Sequence, residues 1–430
     1  MPAQALRILS GPAAFRSLLL DRIASARERI ILVALYLQDD PSGREIMDAL
    51  YAAHRKQPDL VIQVLVDQHR AQRGLIGKAK SPGNAAMYQH YAARFGPGVQ
   101  VLGVPVQTRE LFGVLHLKGF IIDGCVLYSG ASLNDLYLAR EERYRLDRYH
   151  LLESRRLADT MAELVGRVLL ASPALRRLDQ PRDAGRSPQG AVIRSFRRNL
   201  RLARYTFAGA PRPTGAIAVT PLIGFGANNE LNATLLALLG SAQQRLLIYT
   251  PYFNLPGPVR RVLTRQLAKG RIVTLVVGDK VASDFFMPPH EPFKVIGLLP
   301  YLYEANLRRF ARTHRAAIAD GRLNIHLWRH ADNSFHAKGM FIDDGLAVLT
   351  GNNLNPRAWT LDLENGLVIQ DPEGLLSGAW RQEQTELLAH TTRLEDFRDL
   401  ETPTAYPLPV QKALKRLSRT TLDRLLFRLL

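Results

Sequence analysis

Apolar and polar positions along this chain follow two rhythms, and the order of the rhythms occurs twice. Residues 30–37 form an unbroken apolar run of strand length, 41–43 bring Pro and Gly punctuation, 44–55 have helical spacing, and 60–66 read as a second strand. From 241 to 279 the order returns, with a strand at 246–252, a turn at Pro256-Gly257, a helix at 259–269 and a strand at 272–277. Strands alternating with helices predict an α/β fold whose two halves each hold a sheet containing parallel strands.

Further along, 114–123 predicts a strand that turns at Asp123-Gly124 into another at 125–130. Residues 335–343 and 346–351 copy it, with Asp344-Gly345 at the turn. A Pro-, Arg- and Gly-rich stretch from about 173 to 213 separates the copies. The predicted organisation is a first domain over 1–175, a connector over 176–213, a second domain over 214–400 and a C-terminal segment over 401–430. At 430 residues the chain is too long for one compact core, which agrees with two pseudo-symmetric units.

Composition changes this picture in one respect. The hydrophobic fraction of 47% and charged fraction of 22% are ordinary for a globular protein, but 57 Lys and Arg stand against 39 acidic residues. A formal charge of +18 calls for a negatively charged partner: nucleic acid, an anionic lipid surface or a phosphorylated substrate. The single cysteine, Cys125, lies among apolar residues and reads as part of the core; it excludes an internal disulfide and fits a reducing compartment. No run reaches the roughly 20 apolar residues of a spanning helix, and residues 1–16 lack a secretion pattern. The expected location is the cytoplasm, with a membrane met only from its surface.

Two basic segments bear on that surface. In the connector, Ile193, Phe196 and Leu200 share one helical face while Arg194, Arg197, Arg198, Arg201 and Arg204 crowd the rest. Near the end, Leu414, Leu417, Leu425 and Leu429 recur near helical spacing among Lys412, Lys415, Arg416, Arg419, Arg424 and Arg428. A helix lying in the interface plane of an anionic membrane has this pattern. A helix docked on the protein with a solvated basic face has it too; recurrence of the stripe favours the membrane.

The chemistry sits in a duplicated motif. His116-Leu117-Lys118-Gly119-Phe120-Ile121-Ile122-Asp123 has the form His-x-Lys-x4-Asp, and His336-Ala337-Lys338-Gly339-Met340-Phe341-Ile342-Asp343 has it again 220 positions later. Each is followed by a hairpin and then by Gly130-Ala131-Ser132-Leu133-Asn134 or Gly351-Asn352-Asn353-Leu354-Asn355, in register with the repeat. On a strand, residues two apart share a face, so each His and its Lys are expected to project together while Leu117 or Ala337 faces the core. If the halves pair about a pseudo-twofold axis, two His, two Lys and the amides of Asn134 and Asn355 converge on one cleft, a phosphate site.

A neutral imidazole can attack phosphorus while a second, protonated imidazole gives its proton to the departing oxygen. Lys118, Lys338 and the two Asn can hold the equatorial oxygens, so no metal or other cofactor is required. An attacking imidazole also needs an acceptor on its distal nitrogen. Glu364 and Asp147, 28 and 31 residues after their histidines, are the candidates, reaching across the axis. Asp123 and Asp343 complete the motifs and are counted with the catalytic set, although at hairpin turns bracing the strands is the expected role.

These paired motifs resemble the phospholipase D superfamily over nearly the whole chain. Within it the resemblance is closer to the bacterial cytoplasmic phosphatidylserine synthases of Gram-negative type. It is carried by the first motif running on to Tyr128-Ser129-Gly130-Ala131-Ser132-Leu133-Asn134-Asp135, by Thr250-Pro251-Tyr252-Phe253-Asn254-Leu255-Pro256, Gly278-Asp279-Lys280 and Glu291-Pro292-Phe293-Lys294, and most distinctively by Gly351-Asn352-Asn353-Leu354-Asn355-Pro356-Arg357-Ala358-Trp359 through Asp362-Leu363-Glu364-Asn365.

The resemblance implies two phospholipase-D-like α/β/α sandwich domains sharing one central active-site cleft. It implies transfer of a phosphatidyl group from CDP-diacylglycerol to L-serine with release of CMP, by an enzyme associating with the inner face of the cytoplasmic membrane. By the same analogy His116 attacks and His336 protonates CMP, then deprotonates serine. Tyr36, Tyr252 and Asn254, near the expected sheet ends, are candidates for substrate contact, with Asn353 counted among them. A phospholipase or cardiolipin synthase, using water or a glycerol hydroxyl as acceptor, is the nearest rival reading. A nuclease is the more distant one, since the basic segments are amphipathic helices rather than aromatic-interleaved grooves and no nucleic acid is obligatory.

Overall fold

The computed structural model describes residues 1–73, 82–181, 190–207, 213–288 and 290–418. The apolar run near the start becomes a central strand because both of its faces are covered. Ile30, Leu32 and Ala34 enter one apolar cluster and Ile31 and Val33 another, the period of two that a strand imposes. Leu246 and Ile248 face one way and Tyr249 the other in the second copy.

In the first half the strands are β1 (Leu6–Ile8), β2 (Arg29–Ala34), β3 (Val61–Asp67), β4 (Gln100–Val104), β5 (Phe120–Ile122), β6 (Cys125–Ser129), β7 (Arg145–Leu146), β8 (Tyr149–Glu153) and β9 (Arg176–Arg177). In the second they are β10 (Ala218–Phe225), β11 (Arg245–Thr250), β12 (Ile272–Gly278), β13 (Leu323–Trp328), β14 (Ser334–Phe335), β15 (Gly339–Ile342), β16 (Leu346–Thr350), β17 (Leu363–Gln370) and β18 (Thr391–Arg393). Two eight-stranded sheets result, ordered β1-β8-β6-β5-β2-β3-β4-β9 and β10-β17-β16-β15-β11-β12-β13-β18. The orders coincide position by position. In each, the three consecutive strands β2, β3, β4 or β11, β12, β13 are parallel and the flanking pairs antiparallel.

The Pro41–Gly43 segment, expected as a turn, is instead the first turn of the helix Pro41–Lys56. Asp40 caps it by accepting from the Gly43 amide at 2.9 Å, and Pro41 sits where a missing N–H costs nothing. The helix Gly257–Ala268 begins at the corresponding place. Each sheet has its own outer layer of helices, holding Phe15, Leu19, Met47 and Leu50 over one and Leu235, Val259, Leu263 and Phe310 over the other. The inner faces share one continuous cluster with the helices Arg155–Leu164 and Ser377–Leu388, from Ile31 and Leu65 through Leu117 and Ala337 to Phe341 and Leu367.

The connector helix, Gly190–Leu202, buries Ile193, Phe196 and Leu200 in that shared cluster. Each such side chain gains about 1.5–3 kcal/mol by leaving water, and transfer to lipid would add nothing, so this face stays on the protein. Its Arg194, Arg198 and Arg201 are exposed and Arg197 half-buried. The helix Leu408–Ser418 packs Val410, Ala413 and Leu414 against Tyr301 and Leu302 and exposes Lys412, Lys415 and Arg416. Arg419, Arg424 and Arg428 lie outside the described residues. Among the described residues no helix is long and apolar enough to cross a membrane.

Candidate active site

The strand expected over 114–123 is interrupted, and the interruption builds the site. Only Phe120–Ile122 joins the sheet; Gly119 takes φ +111 just before it, and Gly339 takes φ +131 at the same motif position. These left-handed backbones, open to glycine, swing the His-x-Lys segments out of their own sheets and against the opposite half. His116 N donates to Leu363 O at 2.9 Å and Leu363 N to Val114 O at 3.0 Å, while Asn365 clamps the Lys118 backbone with two 2.8 Å bonds. Reciprocally, β14 pairs in parallel with β7, and His336 N donates to Leu146 O at 2.8 Å.

Each crossing brings an imidazole to a carboxylate of the other half. His116 Nδ1 lies 2.8 Å from Glu364 Oε1, and His336 Nδ1 lies 3.1 Å from Asp147 Oδ2. Tyr137, which the sequence did not single out, sets its hydroxyl 2.9 Å from His336 Nδ1. Glycine again makes room: a Cβ on Gly130 would sit 2.5 Å from Lys338 Nζ, and one on Gly351 would sit 2.6 Å from Lys118 Cγ. The lysine of each half therefore lies over the glycine that opens the other half's Gly-x-x-Leu-Asn segment.

The two lysines differ. Lys338 Nζ donates to Asp147 Oδ2 at 2.6 Å and touches His336 Nδ1. Lys118 Nζ is buried with no hydrogen-bond partner among the described residues, and Asn352 Nδ2 and Glu364 Oε2 share that condition. A buried ammonium with no hydrogen-bond partner is costly, a cost that an anion bound beside it would offset.

Burial, followed by the charges of Lys118 and Lys338, holds His116 well below the usual imidazole range. Burial and Lys338 lower His336 to about 4 against the opposing pull of Asp147 and Asp284. Burial and Lys338 also bring Lys118 down to about 8. Burial works against ionisation of Asp147, but Lys338 and His336 outweigh it and hold the carboxyl at about 2. Burial, reinforced by Asp362, raises Glu364 well above the carboxylate range. At neutral pH the centre thus has two neutral imidazoles.

Asn134 and Asn355 use their carbonyls locally, Asn134 accepting from Tyr137 N at 3.0 Å and Asn355 from Ala358 N at 2.8 Å. Asp123 and Asp343, at the hairpin turns, brace the backbone. The Asp123 carboxylate accepts from the backbone N–H of Arg27, Glu28 and Arg29, and Asp343 from those of Gln243, Gln244 and Arg245. Tyr252 stands edge-on to His336 with ring centres 6.1 Å apart, and its hydroxyl donates to Asp284 at 3.0 Å. Tyr36 lies beneath the Arg70 guanidinium at 5.0 Å, Asn254 accepts from Asn306 at 3.4 Å, and Asn353 Oδ1 has no partner among the described residues. Among those residues no group of three or more His, Cys, Asp or Glu could hold a metal ion.

The family model described as cardiolipin synthase, PLD-like domain, matches residues 19–142 and 235–383, one stretch in each half. The chain is 48% identical to the CDP-diacylglycerol–serine O-phosphatidyltransferase of Escherichia coli over 97% of its own length and 93% of that relative's. It is 43% identical to the enzyme of the same name from Haemophilus influenzae, over 99% and 94%. The crystal structure of phosphatidylserine synthase from Haemophilus influenzae superposes with a TM-score of 0.96, at 42% identity, covering all of this chain and 96% of that one. With the duplicated fold in common and such identity sustained from end to end, the chain belongs to the phospholipase-D-like family and, within it, to the CDP-diacylglycerol–serine O-phosphatidyltransferases.

Proposed function

We propose that this protein moves a phosphatidyl group from CDP-diacylglycerol to the hydroxyl of L-serine in two displacements, holding it in between on His116. The observation that carries the reading is the crossing of the halves, which stations two imidazoles, each with a carboxyl group from the other repeat, near Lys118, whose ammonium has no hydrogen-bond partner among the described residues.

In the first displacement His116 Nε2 attacks the lipid-side phosphorus, the bond to CMP breaks, and His336 gives a proton to the departing oxygen. Lys118 and the NH2 groups of Asn134 and Asn355 stabilise the charge gathered on the phosphoryl oxygens. In the second, His336 takes the serine hydroxyl proton, the serine oxygen attacks phosphorus, and the P–N bond returns its electron pair to His116. Burial and the charges of Lys118, Lys338 and Arg357 favour the neutral nucleophile at His116, whereas Asp147 and Asp284 stand near His336 and favour its imidazolium once the anionic donor screens Lys338.

The test is CMP release by the purified protein from CDP-diacylglycerol in detergent micelles. Release is expected to rise with L-serine and saturate. Release indifferent to L-serine would remove the synthase reading and leave a hydrolase or a glycerol-using transferase.

The basic faces of Gly190–Leu202 and Leu408–Ser418 support a peripheral seat on the anionic inner face of the cytoplasmic membrane. Each Lys or Arg near such a surface adds about 1 kcal/mol at modest salt. Flotation with phosphatidylglycerol vesicles is therefore expected to fall by at least roughly tenfold when Lys412, Lys415 and Arg416 are all replaced by Gln, and to fall with added salt. Binding equal on neutral vesicles and insensitive to salt would contradict it.

A further inference from the structure

Beside the general base the two repeats stop being alike. Arg145 precedes Asp147 by two residues, and the equivalent position before Glu364 is Asp362. Asp362 is a tie: it accepts from Val114 N at 2.9 Å and pairs with Arg357 at 3.2 Å. Arg145 instead faces Asp284, with Nε 2.8 Å from Oδ1, at side-chain exposures of 13% and 12%.

That contact is unlike a structural ion pair. A few residues away Arg148 grips Glu383 with two aligned bonds of 2.8 and 2.9 Å. Arg145 Nε and Asp284 Oδ1, although equally close, make no hydrogen bond among the described residues. The pair is held from outside: Arg145 lies 4.6 Å over the Tyr137 ring, and Tyr252 donates to the other oxygen of Asp284. Both supporting tyrosines also touch His336, Tyr137 by hydrogen bond and Tyr252 by its ring edge. One positive and one negative group, poorly matched to each other, thus lie one side chain away from the imidazole assigned to the acceptor hydroxyl.

We propose that Arg145 and Asp284 form the subsite for a zwitterionic α-amino acid, the guanidinium taking its carboxylate and the carboxylate its ammonium, so that the hydroxyl points at His336. The ligand replaces one misaligned ion pair with two aligned ones and leaves the net charge of the site unchanged. The geometry selects against alcohols that carry only one of the two charges. This assignment rests on the transfer to L-serine set out above and names the residues that recognise that acceptor.

The test compares three acceptors with the full-length protein in CDP-diacylglycerol micelles: L-serine, ethanolamine, which lacks the carboxylate, and 3-hydroxypropionate, which lacks the ammonium. Arg145→Ala is expected to raise KM for L-serine by roughly tenfold or more, the value of one charge-assisted hydrogen bond, and to leave ethanolamine use unchanged. Asp284→Asn is expected to do the same to KM for L-serine and to leave KM for 3-hydroxypropionate unchanged. Arg145→Lys, which keeps the charge, is expected to recover part of the loss. CMP release without any acceptor, the transfer to water, is the internal measure of folding and of the first displacement: it is expected to persist in Arg145→Ala and Arg145→Lys, and for Asp284→Asn, which also removes a charge favouring the His336 imidazolium, each acceptor is read as its ratio to this release. An unchanged KM for L-serine, or acceptor-dependent and acceptor-independent release falling together, would overturn the assignment while leaving the synthase reading intact. A wild-type protein whose CMP release ignores L-serine would remove both.

Discussion

Protein carrying His116→Ala is expected to acquire no label when incubated with CDP-diacylglycerol bearing radioactive phosphate on the lipid side. CMP release is expected to drop on the order of a thousandfold or more, because removing a nucleophile removes the pathway rather than weakening it. The wild-type label is expected to survive base and to be lost in acid, as a P–N bond requires. His336→Ala keeps the nucleophile and its Glu364 partner but loses the group that protonates CMP and later activates the acceptor. It is expected to label slowly and then to hold the label when L-serine is added. Labelling of His116→Ala at the wild-type level would overturn the division of roles between the two rings.

The largest loss of stability is expected from Glu383→Ala. Glu383 lies on the helix Ser377–Leu388 of the second half and receives Arg148 of the first, and His150 Nε2 is 3.2 Å from the same carboxylate. Arg148 is buried, its guanidinium 4.8 Å over the Phe341 ring. Removing its counter-ion strands a positive charge in the apolar cluster that joins the halves, at a cost of about 3–5 kcal/mol.

Burial works against ionisation of Glu383, but Arg148 and His150 overcome it and hold its carboxyl well below the usual range. A group whose folded pKa is depressed contributes stability above its unfolded value, near 4, and loses it as the pH falls further. The gap in urea midpoint between wild type and Glu383→Ala is therefore expected to be full at pH 7 and to narrow below about pH 4. A gap that is small at neutral pH would mean that Arg148 finds water or another partner.

The parts of the site that could be read from the sequence are those in which chemistry and chain order coincide. A His and a Lys two residues apart, repeated in register, identify themselves, and the near-equal spacing to Glu364 and Asp147 extends the pattern to residues that the fold sets beside the imidazoles. The repeat also announced both sheets, because a strand covered on two faces is apolar throughout.

What escaped notice depends on contacts between the halves, for which a linear pattern holds no signal. Residues 114–118 alternate like a strand, yet their partners are Leu363 and Asn365 rather than the neighbouring strands of their own sheet, and only the positive φ at Gly119 reveals the switch. Tyr137 and Asp284 matter through their neighbours, so nothing in their own surroundings distinguishes them from other buried polar residues. The connector helix shows a further limit: Ile193, Phe196 and Leu200 satisfy the pattern of a lipid-facing stripe and of a protein-facing one equally, and packing alone decides between them.

The matched order of the two sheets has an evolutionary reading. Were the repeats separate, identical chains assembling in pairs, whatever side chain stood at one position of the first would have to stand at the same position of the second. Joined end to end, they are released from that obligation, so arginine can occupy position 145 while aspartate occupies its counterpart at 362. Fusion in this sense is the step that lets a nearly twofold reaction centre open unequally, toward a bulky nucleotide lipid on one hand and a small polar alcohol on the other.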